Sequence, residues 1–74
     1  MKQRCYSSNQ WIEQIFESQQ AKKGGIVRRK WNSVRRFASQ AELVAAVKDK
    51  GFHIILNGDQ YVIFCNKADI RIIL

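Results

Sequence analysis

The sequence lacks proline and has few of the other residues that break or cross-link a chain. Among its 74 residues are four glycines, two cysteines and one histidine. Fibrous and low-complexity chains are rich in proline and glycine, and small secreted scaffolds are rich in cysteine, so the composition excludes both classes. With 46% hydrophobic residues, the chain is expected to fold as a single domain over residues 1–74, close to the lower size limit for a stable core.

Long apolar runs are also missing from the sequence. The first residues, "MKQRCYSSNQW", are charged and then polar, and no stretch approaches the ~20 apolar residues of a membrane span. We therefore expect a cytoplasmic protein with no membrane partner. In that compartment Cys5 and Cys65 stay reduced, and a domain this small without a disulfide or metal gains stability by self-association.

Acidic residues are absent from the middle of the chain, with none between Glu17 and Glu42. In that interval lies "KKGGIVRRKWNSVRRF", residues 22–37, which we call the basic segment. It holds seven of the thirteen Lys and Arg residues of a chain whose formal net charge is +7. The sequence therefore predicts one strongly positive region on the folded surface.

The N-terminal part is predicted to be a helix with Ser8 or Asn9 as its N-cap. Four apolar residues then fall at helical spacing, and cations followed by Gly24 are typical of a helix end. These apolar residues are expected to face the core: Trp11, Ile12, Ile15 and Phe16.

Secondary structure within the basic segment is ambiguous in the sequence. Val27, Trp31 and Val34 are spaced for a narrow apolar stripe on a helix. As a strand, the segment would place Arg29 with Val27 and Trp31 on one side, and Ile26, Arg28 and Lys30 on the other. We predict a short strand over residues 26–31 and leave its continuation to residue 38 open.

A second helix is predicted from Ser39 to Gly51. "SQAEL" is a capping box, in which the Ser39 hydroxyl accepts from the Glu42 N–H and the Glu42 side chain reaches back to the Ser39 N–H. Leu43, Val44 and Val47 are expected to form the buried face, and Gly51 to end the helix.

The C-terminal part predicts a small antiparallel sheet. "FHIILNGDQYVIFC" is typical of a hairpin that turns at Asn57-Gly58. This pairing places His53, Ile55, Val62 and Phe64 on one face, opposite Phe52, Ile54, Leu56, Tyr61, Ile63 and Cys65. "IRIIL", residues 70–74, is predicted to be a last strand. The expected fold class is α+β: a helix, the basic strand or helix segment, a second helix, then two to three antiparallel strands.

Three blocks carry a resemblance to a known family: "CYSSNQWIEQIFE", "GGIVRR" and "KGFHIILNGDQYVIFCN". They resemble short uncharacterised bacterial proteins carried on integrative and conjugative elements, which are often labelled N-(5'-phosphoribosyl)anthranilate isomerase. The resemblance implies a mobile-element accessory protein. Its isomerase label is excluded because a (β/α)₈ barrel needs on the order of 200 residues or more. Gly24-Gly25 is also followed by a β-branched pair, and not by the helix N-terminus of a phosphate cradle.

Catalysis and metal binding have little support in the sequence. His53 has no neighbouring Ser, Asp or Cys at the spacing of a catalytic group, and Cys65 lies in an apolar run where it is expected to behave as a small hydrophobe. Cys5, His53 and Cys65 lack the paired short spacing of zinc ligands. We therefore predict a non-enzymatic protein without cofactor or metal.

The basic segment gives the main functional prediction. Arginine and lysine neutralise phosphates, and aromatic side chains stack on bases. The predicted DNA- or RNA-binding residues are Lys22, Lys23, Arg28, Arg29, Lys30, Trp31, Arg35 and Arg36. Two alternatives stay open. One is a solvated basic face on which Trp31 anchors the core. The other is a protein-binding module that dimerises through its C-terminal sheet, or binds an acidic partner, without binding nucleic acid.

Overall fold

The computed structural model describes residues 7–74 and has the α+β fold predicted from the sequence. Its helices are α1 (Ser8–Phe16), α2 (Gln19–Lys22), α3 (Trp31–Phe37) and α4 (Gln40–Asp49), and its strands are β1 (Ile26–Lys30), β2 (His53–Asn57) and β3 (Gln60–Phe64). No helix in this part of the chain is long and apolar enough to cross a membrane.

The N-terminal helix differs from the prediction at its start and in its continuity. Ser7, one residue before the predicted caps, accepts from the Gln10 N–H, and the Gln10 side chain accepts in return from the Ser7 N–H. The helix then ends near Phe16, because Ser18 adopts an extended conformation and caps α2. The Ser18 hydroxyl donates to the Ile15 carbonyl, so one serine both closes α1 and starts the next helix.

The basic segment contains both of the structures that its sequence suggested. Residues Ile26–Lys30 form β1, and the open continuation is helix α3, which starts at Trp31. The Trp31 N–H donates to the Asp59 carbonyl at 2.7 Å, a bond that holds the change from strand to helix beside the hairpin turn. The helical stripe and the strand alternation were each correct for one half of the segment.

Helix α4 begins and ends close to the predicted residues. The Ser39 hydroxyl accepts from the Glu42 N–H at 3.1 Å, and Gly51 has the expected positive φ of 75°. The reciprocal capping bond predicted for Glu42 does not form, because its carboxylate accepts from the Ser39 and Ser8 hydroxyls instead. Leu43 and Val47 are buried as predicted, whereas Val44 is exposed and was wrongly assigned to the core.

The hairpin is confirmed, with a turn shifted by one residue. Asn57 pairs with Gln60, so the turn residues are Gly58 and Asp59. Among them only Gly58 has a positive φ, at 63°. A single positive φ at the first turn position is typical of a type II′ hairpin turn, in which glycine carries the unfavourable conformation.

The sheet has three strands in the order β1-β3-β2, and all its pairs are antiparallel. Strand β1 comes from the middle of the basic segment. The strand predicted over residues 70–74 is wrong, because that segment pairs with no neighbour in the structure. A strand requires a partner for its backbone groups, and β-branched composition alone does not supply one.

All four helices pack on one face of this sheet. From the sheet, Val27, Tyr61 and Ile63 join the core cluster, and Ile12, Ile15, Val34, Leu43 and Val47 join it from the helices. The alternate residues of each strand, which point to the other face of the sheet, do not belong to that cluster. The molecule therefore has a helix-covered face and a second sheet face on which no helix of residues 7–74 packs.

Candidate nucleic-acid interface

The sheet face opposite the helices is the candidate site, and we call it the open face. The register places three residues of each strand on it: Ile26, Arg28 and Lys30 from β1, Gln60, Val62 and Phe64 from β3, and His53, Ile55 and Asn57 from β2. None of these nine residues is acidic. The open face combines apolar, aromatic and cationic groups without a compensating carboxylate, although Asp59 lies beside it in the hairpin turn.

An apolar strip runs across the centre of the open face. Val62 on the middle strand is 6% exposed, although it does not belong to the helix-side core. Its neighbours in the pairing are Arg28 on one side and Ile55 on the other. Ile26 and Ile55 remain 43% exposed. The two isoleucines lie on opposite edge strands, on either side of the middle strand that carries Val62.

Two cations stand at one edge of this strip. Arg28 and Lys30 are exposed and occupy alternate positions of the edge strand β1, so they lie about 7 Å apart along the strand. No carboxylate of residues 7–74 forms a salt bridge with either of them. Their positive charge is therefore available to an anionic ligand that lies on the open face or along the β1 edge.

The remaining predicted cations lie at the two ends of β1. Lys22 and Lys23 close α2, just before the strand, and Arg35 and Arg36 lie in α3, just after it. All four are exposed. The structure does not gather the predicted residues into one cluster. It distributes them along the β1 edge of the molecule, with Arg28 and Lys30 in the middle.

Trp31 was considered both as a core anchor and as a stacking platform for a base. Its half-buried ring packs against the core, and the Arg35 guanidinium lies over the ring at 4.6 Å from its centroid. A cation at this distance is attracted by the electrons of the ring face. Trp31 is therefore a core anchor whose ring already has a stacking partner, and it is not a free platform for a base.

Arg29 is separated from Arg28 by the alternation of the strand. It pairs with Tyr61 on the helix-covered face, is half-buried, and donates from its guanidinium to the Arg28 carbonyl at 2.7 Å. Although Arg29 belongs to the predicted site, the fold places it on the opposite face from Arg28 and Lys30. Only a strand conformation separates neighbouring arginines in this way.

Cys65 behaves as the sequence suggested. The thiol is buried at the end of β3, where burial raises its pKa and the charge of Arg29 opposes that shift. A protonated, buried thiol is a poor nucleophile and a poor metal ligand. Cys5 lies outside the described residues.

His53 has no catalytic partner within the described residues. It lies on the open face of edge strand β2, next to Phe64, and its Nε2 atom is buried without a hydrogen-bond partner. To act as a general base, His53 would need a group within hydrogen-bond reach that gives it a proton. Residues 7–74 also contain no group of three His, Cys, Asp or Glu side chains that could hold a metal ion.

Sequence reasoning missed Phe64 and His53 as members of the site. The hairpin pairing had placed them on one face, and the strand interpretation of the basic segment had placed Arg28 and Lys30 together. What local patterns do not show is that β1 pairs with β3, and this pairing alone brings the two sets to the same face.

No protein-family model, no curated protein sequence and no solved structure matches this chain.

Proposed function

We propose that this protein binds nucleic acid, without catalysis, on the open face of its sheet. The observation that carries the proposal is the placement of Arg28 and Lys30 beside an apolar strip that contains Phe64, with no acid among the nine residues of the face. The residues match the two chemical parts of a polynucleotide, which are its anionic backbone and its flat bases.

Phosphates are the ligands for the β1 edge. Arg28 and Lys30 are the central contacts, and the exposed cations at either end of β1 extend them: Lys22, Lys23, Arg35 and Arg36. Contacts of this kind displace counterions and depend little on base sequence. Arg29 contributes only through its long-range field, because it faces the helices.

Bases are the ligands for the apolar strip. Phe64 is half-buried at the end of the middle strand, between Ile26 and His53 in the pairing. An unstacked base can lie on an aromatic ring, whereas a duplex keeps its bases stacked inside. A single-stranded ligand therefore uses both halves of the face, and we propose single strands as the preferred class.

A protein-binding role without nucleic-acid affinity is the competing proposal. It has one observation in its favour, which is the exposed apolar segment after Asp69, with Ile72 81% and Ile73 91% exposed. This segment lies outside the open face. The two proposals therefore predict different sites, and mutations on the open face distinguish them.

The direct experiment measures binding to single-stranded DNA, single-stranded RNA and duplex DNA at low salt. The proposal predicts binding to all three, with single strands preferred. Four to six phosphate contacts on a single strand give a slope of log K against log salt of about −3 to −4. Absence of binding to every one of these nucleic acids would contradict the proposal and favour the protein-binding role.

A charge-reversal pair locates the site. Arg28→Glu with Lys30→Glu should abolish binding at moderate salt, because two phosphate contacts become repulsive. The matched control is Lys67→Glu with Asn9→Asp and Gln14→Glu, which changes the net charge equally at exposed positions outside the nine residues of the open face. Equal loss in the two charge variants would show that net charge, and not the open face, determines binding.

The proposed cellular location and biological role follow from the sequence. We propose that the protein acts in the cytoplasm, and the resemblance noted above favours an accessory role on a mobile element. No catalytic step is proposed, since the only histidine within residues 7–74 has no partner for proton transfer and Cys65 is held as a thiol.

A further inference from the structure

The last residues of the chain are the most exposed apolar segment of the structure, and we call residues 70–74 the tail. Ile72 is 81% exposed, Ile73 is 91% exposed and Leu74 is fully exposed. Asn66 ties the chain to the fold through a bond from its amide to the Gly24 carbonyl, and Ala68 bonds back to Asn66. Beyond Ala68 no hydrogen bond within residues 7–74 holds the chain.

An unpaired strand edge lies close to the start of the tail. In the order β1-β3-β2, strand β2 pairs with β3 on one side only. Its other side presents backbone N–H and C=O groups, which are a template for an added strand. Leu56 is 53% exposed and Ile55 43% exposed on the same strand, so the edge is apolar as well as open.

A groove of about 540 Å³ runs between β2 and α4, and it already contacts the tail. Its walls come from Val44, Val47 and Lys48 of the helix and from Phe52–Ile55 of the strand region. Ile70 of the same chain lies at this groove, whereas the three apolar residues at the end of the chain lie outside it. The groove therefore accepts an isoleucine of this segment, but one copy of the chain leaves most of its tail uncovered.

We propose that the tail of a second copy adds to the β2 edge as a fourth strand, and that the two copies exchange tails reciprocally. Alternate residues of the tail, Ile70, Ile72 and Leu74, would continue the helix-covered face, and Ile73 would continue the open face beside Ile55. A reciprocal exchange covers both tails and both β2 edges in one closed, two-fold dimer.

The distribution of charge favours this edge for self-association. Most of the excess positive charge lies along β1, which is the opposite edge of the sheet. The tail has one cation, Arg71, and the groove lining has one, Lys48, which is followed in the sequence by Asp49. Two copies can therefore meet through β2 without bringing their basic segments together. In the dimer, each open face remains free for the proposed nucleic-acid ligand.

The test combines mass in solution with hydrogen exchange, both measured over a wide range of protein concentration. We expect a mass that rises to twice the 8.6 kDa of the chain, and protection of the amides of residues 70–74 that rises with it. A protein that stays monomeric at every concentration would overturn the proposal. Tail protection that does not change with concentration would also overturn it, because the tail would then pair within its own chain.

Two variants assign the dimer to the tail. Deleting residues 70–74, or replacing both Ile72 and Ile73 with Asp, should weaken dimerisation at least tenfold while the circular dichroism of the fold stays unchanged. The control is Asn9→Asp with Gln19→Asp, which adds the same charge at exposed helix positions. A dimer that survives both tail variants would contradict the proposal. No tail variant changes Arg28 or Lys30, so these variants should still bind nucleic acid. A wild-type protein that binds nucleic acid but stays monomeric would refute the dimer and leave the proposed function standing.

Discussion

Arg28 lies opposite Val62 across the β1–β3 pairing, so a cation borders the apolar centre of the sheet face that no helix of residues 7–74 covers. Arg29, the next residue, faces the helices and contacts the backbone of its neighbour. The alternation of one edge strand therefore divides the basic segment into a part available to a ligand and a part held by the fold. The proposed nucleic-acid site depends on this division.

Phe64→Leu should weaken binding to single strands more than binding to duplex DNA. Leucine fills much of the same volume, and it has no ring on which a base can stack. Base–aromatic stacking contributes about 1–3 kcal/mol per base, so affinity for a single strand should fall between about fivefold and a hundredfold. Fluorescence anisotropy with single-stranded and duplex oligonucleotides of equal length measures both. Equal losses for the two ligands would argue against a stacked base.

Leu43→Ala and Val44→Ala are adjacent in α4 and should differ strongly in stability. Leu43 is fully buried in the core, and its truncation should lower the free energy of unfolding by about 2–5 kcal/mol. Val44 is 38% exposed, and alanine has the higher helix propensity, so its substitution should change stability by less than about 1 kcal/mol. Urea denaturation measures both. Similar losses would mean that α4 is rotated about its axis relative to this structure.

Cys65 should make the protein less stable as the pH rises above about 9. Burial raises the pKa of this thiol, so at such pH the folded chain keeps a proton that the unfolded chain releases. The unfolded state is then favoured, and the free energy of unfolding falls until the pH passes the raised pKa. Cys65→Ala should reduce this fall in urea denaturation at several pH values. An identical pH dependence in the two proteins would show that other groups cause it.

Gly58→Ala should destabilise the hairpin, because alanine tolerates the φ of 63° poorly. No other atom lies within 4 Å of an added Cβ, so the cost is conformational and not steric crowding by neighbours. A residue forced into the left-handed region loses roughly 1–2 kcal/mol. Thermal unfolding compared with Gly58→Asn, which tolerates this region better, checks the prediction. A Gly58→Ala protein as stable as the wild type would contradict the assigned turn.

Local signals in the sequence were sufficient for α4 and the hairpin. Ser39 with Glu42 marks the start of a helix, and glycine after Asn57 marks a tight turn, since both depend on residues a few positions apart. The Ser7–Gln10 pair has the same spacing, and the structure shows it as a capping box. The break at Ser18 was less visible, because a serine can either continue a helix or cap the next one.

Non-local pairing explains what the sequence did not predict. The basic segment changes from strand to helix at Trp31, because residues 26–30 pair with a strand 30 to 38 positions away. Composition alone favours the tail as a strand, but the tail pairs with no strand of residues 7–74. The candidate site also depends partly on local sequence and partly on non-local pairing. Its cations could be predicted, whereas their separation by face and the position of Arg28 opposite Val62 required the β1–β3 register.

We propose that the open face, and not the basic segment as a whole, binds nucleic acid. The salt dependence of single-strand binding by the wild type, Arg28→Gln and Arg29→Gln distinguishes the two. These variants remove the same charge from adjacent residues. A difference between their affinities therefore depends on which face of the sheet the side chain occupies. We expect Arg28→Gln to make the slope shallower by about 0.7 and to reduce affinity several-fold, with a much smaller change for Arg29→Gln. Equal effects of the two substitutions would contradict the account.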